Sequence, residues 1–182
     1  VDTLMPPGSC PGHFDVSPKD TKAVSRSDLI LTHGYEGFVS GMLKSLGDGA
    51  PELVQIKTDG EWMLPSIYAQ GARQVAAALR SVDSKNAESY ERSLEKLEAE
   101  CRALEADLKW KLEAVGTAGV SVLCSTQQHS LLEWMGFTVT GTYSRAEDFT
   151  PEMLHGLSEL GKRKRVRLVV DNLQSGPTAG KE

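Results

Sequence analysis

The sequence predicts an α/β protein: two small lobes with parallel sheets, joined by a long backbone helix, with a ligand cleft between the lobes. Three observations predict it. Short apolar strand-like runs alternate with helical stretches as far as Val82. Asn86 to Val115 then contains no Gly or Pro and places Leu94, Leu97, Cys101, Leu104, Leu108 and Leu112 at steps of three or four. After Gly116 to Gly119 the order is strand, helix, strand, helix, strand, which produces a parallel sheet. The expected divisions are an N-terminal lobe over 1–82, the helix over 83–115 and a C-terminal lobe over 116–182.

Each element has a local cause. Pro6-Pro7-Gly8 breaks the apolar start, and a loop runs to Asp15. Ser17-Pro18 supplies an N-cap and a first-turn proline for a helix over Lys19 to Ser25. Asp28 to Thr32 is a compact apolar strand ending at His33-Gly34. The next helix starts near Glu36, presents Phe38, Met42, Leu43 and Leu46, and closes at Gly47-Asp48-Gly49. Leu53 to Ile56 is a strand, followed by the turn Thr58-Asp59-Gly60. From Pro65 to Val82, Ile67, Val75, Leu79 and Val82 form a helical stripe, and Asp83 or Ser84 caps the long helix that follows.

In that helix Glu88 with Arg92, Glu98 with Arg102, Glu105 with Lys109, and Asp107 with Lys111 lie in the favourable acid-first order. Its length, on the order of 45 Å, is enough to span two lobes. A coiled-coil dimer competes for the leucine stripe, but the seam lasts only about four heptads and intramolecular packing is expected. Beyond it, Val120 to Cys124 is a strand, Gln127 to Met135 a helix and Phe137 to Tyr143 a strand. Thr150-Pro151-Glu152 opens a helix ending near Gly161, and Val166 to Val170 is expected as a buried strand.

Of the 182 residues, 40% are hydrophobic and 25% charged, the composition of a folded protein and not of a disordered or fibrous one. No apolar run approaches the roughly 18 to 20 residues of a membrane helix. The net charge of −5 offers no general field for nucleic acid, and no nucleic-acid partner is expected. The basic run Lys162, Arg163, Lys164, Arg165 and Arg167 lies at a helix end, where cations meet carbonyls. Cys10, Cys101 and Cys124 are too few and too scattered for a disulfide framework. Neither a Walker run nor a G-x-G-x-x-G turn follows any strand, which disfavours a nucleotide enzyme.

Residues with chemistry gather at strand ends: Cys10, His13 and Asp15 in the first loop, His33 after a strand, Cys124 to His129 after another, and Asp171 after the last. Imidazole, thiolate and carboxylate are the common protein ligands of divalent transition metals. Cys10-x-x-His13 has no second close pair, so a zinc knuckle is disfavoured. Cys124, His129 and Asp171 are the members of an alternative thiol-hydrolase set, without a nucleophile elbow to support it.

The stretch MPPGSCPGHFDVSPKDTKAVSRSDLILTHGYEGF, Met5 to Phe38, resembles metal-binding solute receptors of ABC transporters, the zinc, manganese and iron group. The likeness continues through SIYAQGARQVAAALRSVDSKNAESYERSLEKLEAE, QQHSLLEWMGFTVTGTY and VRLVVDN, and so covers most of the chain. The resemblance implies a capture protein and not an enzyme, with two α/β lobes joined by a rigid helix and metal held in the cleft. Its partners would be a divalent transition metal, zinc first with manganese and iron as competitors, and an ABC membrane permease. The place would be periplasmic or extracellular, with membrane anchoring, and the state monomeric.

The ligand positions carry over in part. The first family His follows the Pro-Pro-Gly loop, where His13 stands one place further on behind Gly12. The second belongs to an N-P-H-x-W-x-D-P segment, and the matching Asp59 to Pro65 contains no His. The third falls near Ser125, with His129 one helical turn beyond, and the fourth matches Asp171. His13 and Asp171 are therefore the leading metal ligands, His33 and His129 the substitutes, and Cys10 a softer extra donor. A metal chelate or organic cofactor on the same scaffold, in a cleft lined by Trp62 and Tyr35, is the alternative ligand class. Family chains also carry more structure at both ends, so 182 residues are expected to leave the lobes incomplete.

Overall fold

Ser17 opens the first helix, α1 (Pro18–Val24), through a reciprocal capping box: its side chain accepts from the Asp20 amide while the Asp20 carboxylate accepts from the Ser17 amide. The computed structural model describes residues 1–6, 14–173 and 179–181. The described chain divides into two compact units, Val1–Trp62 with Ser66–Cys101, and Met63–Pro65 with Arg102–Glu182. Each has its own parallel sheet and core.

In the first unit, β1 (Leu29–Thr32) pairs in parallel with β2 (Glu52–Gln55), Leu29 opposite Glu52 and Thr32 opposite Gln55. Helix α2 (Gly37–Leu46) makes the crossover that parallel pairing needs. Val24, Ile30, Val39 and Met42 are buried together, with Leu4, Val16, Phe38, Leu43 and Leu46 packed against them. Helix α3 (Pro65–Val82) buries the small side chains Ala69, Ala76 and Ala78.

Helix α4 (Ala87–Val115) has 29 residues. It is joined to α3 by ion pairs of Arg73 with Glu98 and Arg80 with Glu91. Glu88–Arg92, Glu105–Lys109 and Asp107–Lys111 pair as the spacing predicts. None of its residues is buried, and Leu104 and Trp110 are half or more exposed. A stripe one leucine wide is only half covered by the layer it meets, so periodicity overstated the burial.

In the second unit, β3 (Ser121–Ser125) lies between β4 (Thr138–Tyr143) and β5 (Leu168–Val170), all parallel. The central strand is covered on both faces, as a period of two requires. Val122 and Cys124 pack with Leu132 of α5 (His129–Trp134), and Leu123 packs with Leu157 and Leu160 of α6 (Pro151–Lys164). Gly141 in β4 is required by close approach, since a Cβ there would lie 2.9 Å from Leu160 Cδ2.

Two expectations are corrected here. Helix α6 continues past Gly161, because Lys162, Arg163 and Lys164 are good helix formers and make its last turn before Arg165 caps it in the left-handed region at φ 52°. Strand β5 is not buried: Leu168 and Val169 are about half exposed, because among the described residues this outer strand has a neighbour on one side only.

Candidate metal centre

Strand β1 delivers His33 to a tight turn at its carboxyl end. Gly34 holds φ 97°, and a Cβ there would sit 1.8 Å from Gln55 Nε2, so only glycine fits. The turn lets Glu36 fold back over the strand end. Its Oε2 accepts from Thr32 Oγ1 (2.5 Å), the Gly34 amide (2.9 Å) and the His33 amide (3.1 Å). Its Oε1 lies 2.7 Å from His33 Nδ1. Burial raises the Glu36 pKa, but the hydrogen bonds from Thr32 and His33 outweigh it and hold the carboxyl down at about 2. A carboxylate only accepts, so Nδ1 donates in this contact, and in the neutral tautomer that does so the lone pair is on Nε2.

Aromatic rings hold the imidazole on two sides. Tyr35 stacks on it at 5.1 Å between centroids and 9° between planes, and Trp62 meets it at 4.7 Å and 89°. Trp62 lies against the backbone of α3 at Gly71, where a Cβ would be 2.2 Å from the indole. The loop before Trp62 is clipped to the same helix by two glutamines one turn apart. Gln70 Oε1 accepts from the Asp59 amide at 3.0 Å, and Gln74 Oε1 from the Lys57 amide at 3.0 Å.

In the second unit the strand order places the first strand centrally, with its successors on opposite sides. Such an arrangement opens a crevice outside the carboxyl ends of the strands where the order reverses. Ser125 ends β3 and Asp171 follows β5, so both stand at that point. Asp171 Oδ1 accepts from Tyr143 Oη and from the Gly180 amide, each at 2.8 Å. Burial first, and the Asp171 carboxylate second, push ionisation of the Tyr143 phenol far above its ordinary range. A cleft of about 240 Å³ adjoins Ser125 and is lined also by Thr126, Gln127, Ser144, Arg145 and Asp148.

His129 starts α5 and lies 3.4 Å from Glu133 in an exposed pair one turn apart. His33, His129 and Asp171 thus occupy strand or helix ends, but among the described residues no three His, Cys, Asp or Glu side chains form a group able to hold a metal. Cys10 and His13 lie outside the described residues. Glu36 and Tyr143, which fix the two strongest described candidates, were missed from the sequence. Glu36 had a visible signal, an acid three residues after His33; Tyr143 had none, because its partner is 28 positions away.

Cys124 is fully buried beside Val122 and Leu132, and burial pushes its thiol up to about 11. The thiol-hydrolase alternative therefore lacks an accessible thiolate.

The sequence matches, over residues 1–181, the family described as zinc-uptake complex component A, periplasmic. The chain belongs to this family. It is accordingly a periplasmic-type metal-binding solute receptor of an ABC importer, a transport protein by family and not a member of an enzyme family. No curated protein matches the chain. Among solved structures, the laminin-binding adhesin Lmb of Streptococcus agalactiae is similar with TM-score 0.77 and 17% identity, covering 97% of this chain and 74% of that one. The solute-binding protein FpvC of Pseudomonas aeruginosa, in complex with Ni2+, gives 0.75 and 18% identity, covering 91% and 67%. A mutant of the Mn-bound periplasmic metal binding protein of Candidatus Liberibacter asiaticus gives 0.76 and 19%, covering 93% and 70%. These likenesses establish the solute-receptor fold. Among the described residues no helix is long and apolar enough to cross a membrane.

Proposed function

We propose that this receptor captures a divalent transition metal outside the cytoplasmic membrane, zinc in preference to manganese or iron, and hands it to the membrane permease of an ABC importer. The match of residues 1–181 to a zinc-uptake family carries the reading. The leading ligands in this reading are His13 and Asp171, with His33 and His129 as substitutes and Cys10 as a softer extra donor. Imidazole and thiolate donors favour zinc over harder cations. Asp171 suits the role because Tyr143 and the Gly180 amide both donate to Oδ1 and so orient its carboxylate. The receptor acts as a monomer attached to the membrane and has no nucleic-acid partner.

Elemental analysis of protein purified without chelator, followed by zinc titration of stripped protein, tests this. Near-stoichiometric zinc that falls in Asp171→Ala and His13→Ala supports the reading. Equal, negligible metal in wild type and both variants would overturn it.

A further inference from the structure

We propose that His33 binds the captured metal through Nε2, and that Glu36 is the positioning residue that aims it, the pair standing in for the histidine absent from Asp59 to Pro65. The proposal rests on the metal-receptor reading above. Three observations converge on it.

The first is orientation. His33 Nδ1 is 2.7 Å from a Glu36 oxygen, and Glu36 is itself held by the Thr32 hydroxyl and the amides of His33 and Gly34. Backbone geometry thus sets the carboxylate, and the carboxylate sets the ring and its tautomer. Metal-ligating histidines are commonly held by a carboxylate on the other ring nitrogen, which fixes the donor and raises its basicity.

The second is availability. The His33 side chain is 40% exposed, and Nε2 has no hydrogen-bond partner among the described residues. An imidazole that served only to close the turn would be complete with Nδ1 bonded; here the second nitrogen is left as a donor atom on a restrained, partly exposed ring.

The third is place. Trp62, which meets the imidazole edge-on at 4.7 Å, belongs to the segment in which no histidine stands, and its indole is seated against Gly71. The ring of His33 therefore lies beside that segment. With Tyr35 stacked on the other side, the ring has little freedom, so little entropy is lost when a metal binds. A neutral imidazole nitrogen in this setting suits zinc, nickel, copper or iron, and discriminates against magnesium and calcium.

The experiment is calorimetric titration of the stripped full chain with Zn2+, comparing wild type, His33→Ala and Glu36→Gln, joined to nitrogen NMR of the wild-type histidines. Glu36→Gln is expected to weaken binding about 10- to 100-fold, and His33→Ala at least as much. On zinc addition the Nε2 resonance missing from His33→Ala should shift while its Nδ1 proton persists. Wild type that binds zinc no more tightly than His33→Ala overturns the pair and leaves the receptor reading standing. Wild type that takes no zinc, manganese or iron overturns both. Unaltered affinity in Glu36→Gln removes its positioning role. If that variant does not fold, the wild-type spectrum decides: no Nε2 shift, or loss of the Nδ1 proton, rejects the proposal.

Discussion

Replacing Glu36 by Gln tests the turn at the end of β1 through its effect on stability. The Glu36 side chain is only 11% exposed, and its carboxyl is held at about 2 against an ordinary value of 4.5. That difference corresponds to about 3 kcal/mol of stability at neutral pH, an order-of-magnitude figure. The folded value is depressed, so the contribution is present above the unfolded value and is lost as pH falls through the folded one. By the same linkage it declines to roughly 1.5 kcal/mol near pH 3 and vanishes below about pH 2. Urea denaturation of wild type and Glu36→Gln at neutral pH and at pH values between 4.5 and 3 isolates this group, because every other carboxyl cancels in the comparison. The variant should lose on the order of 2 to 3 kcal/mol at neutral pH, and the gap should narrow as the solution is acidified. A constant gap across that range, or none at neutral pH, would refute the account of Glu36 as an ionised anchor of the turn.

Three further outcomes are expected. In native protein, Cys124 should resist alkylation at mildly alkaline pH while partly exposed Cys101 reacts, because the Cys124 thiol is buried and shifted to about 11; mass-spectrometric mapping that finds Cys124 modified as fast as Cys101 contradicts this. Gly71→Ala gains about 1 kcal/mol of helix propensity but drives a Cβ into the Trp62 indole, a clash costing roughly 1 to 3 kcal/mol, so net loss and altered tryptophan fluorescence are expected; unchanged emission would mean Trp62 does not rest there. Ser17→Ala removes one side of the α1 capping box and should lower the denaturation free energy by about 1 kcal/mol, with no effect on zinc affinity; a neutral result would show the cap to be redundant.

Much of the architecture was legible because it rests on local rules. Ser17-Pro18 and Thr150-Pro151 mark helix starts whatever the rest of the chain does, since capping satisfies amides within one turn. The apolar run over Val120 to Cys124 reads as a strand, and the structure makes Ser121–Ser125 the central strand of its sheet, covered on both faces. Family kinship was legible as well, through ordered motifs spread along the chain.

Burial and partnership were not legible. Val166 to Val170 has the same apolar look as β3, yet Leu168 and Val169 are half exposed, because hydropathy records what a side chain prefers and not whether a neighbouring layer exists to cover it. The metal-site candidates divide in the same way. His33 and Asp171 were visible as donors at strand ends, a consequence of where strands stop. Trp62 was named as a cleft-lining ring and Glu36 stood three residues after His33, but their contacts with the imidazole, and that of Tyr143 with Asp171, became visible only in the folded chain. Periodicity acts over one or two turns, whereas a donor is oriented by side chains that reach it across loops; residue order therefore named the imidazole and the carboxylate, and tertiary packing decided which of their atoms are held by hydrogen bonds.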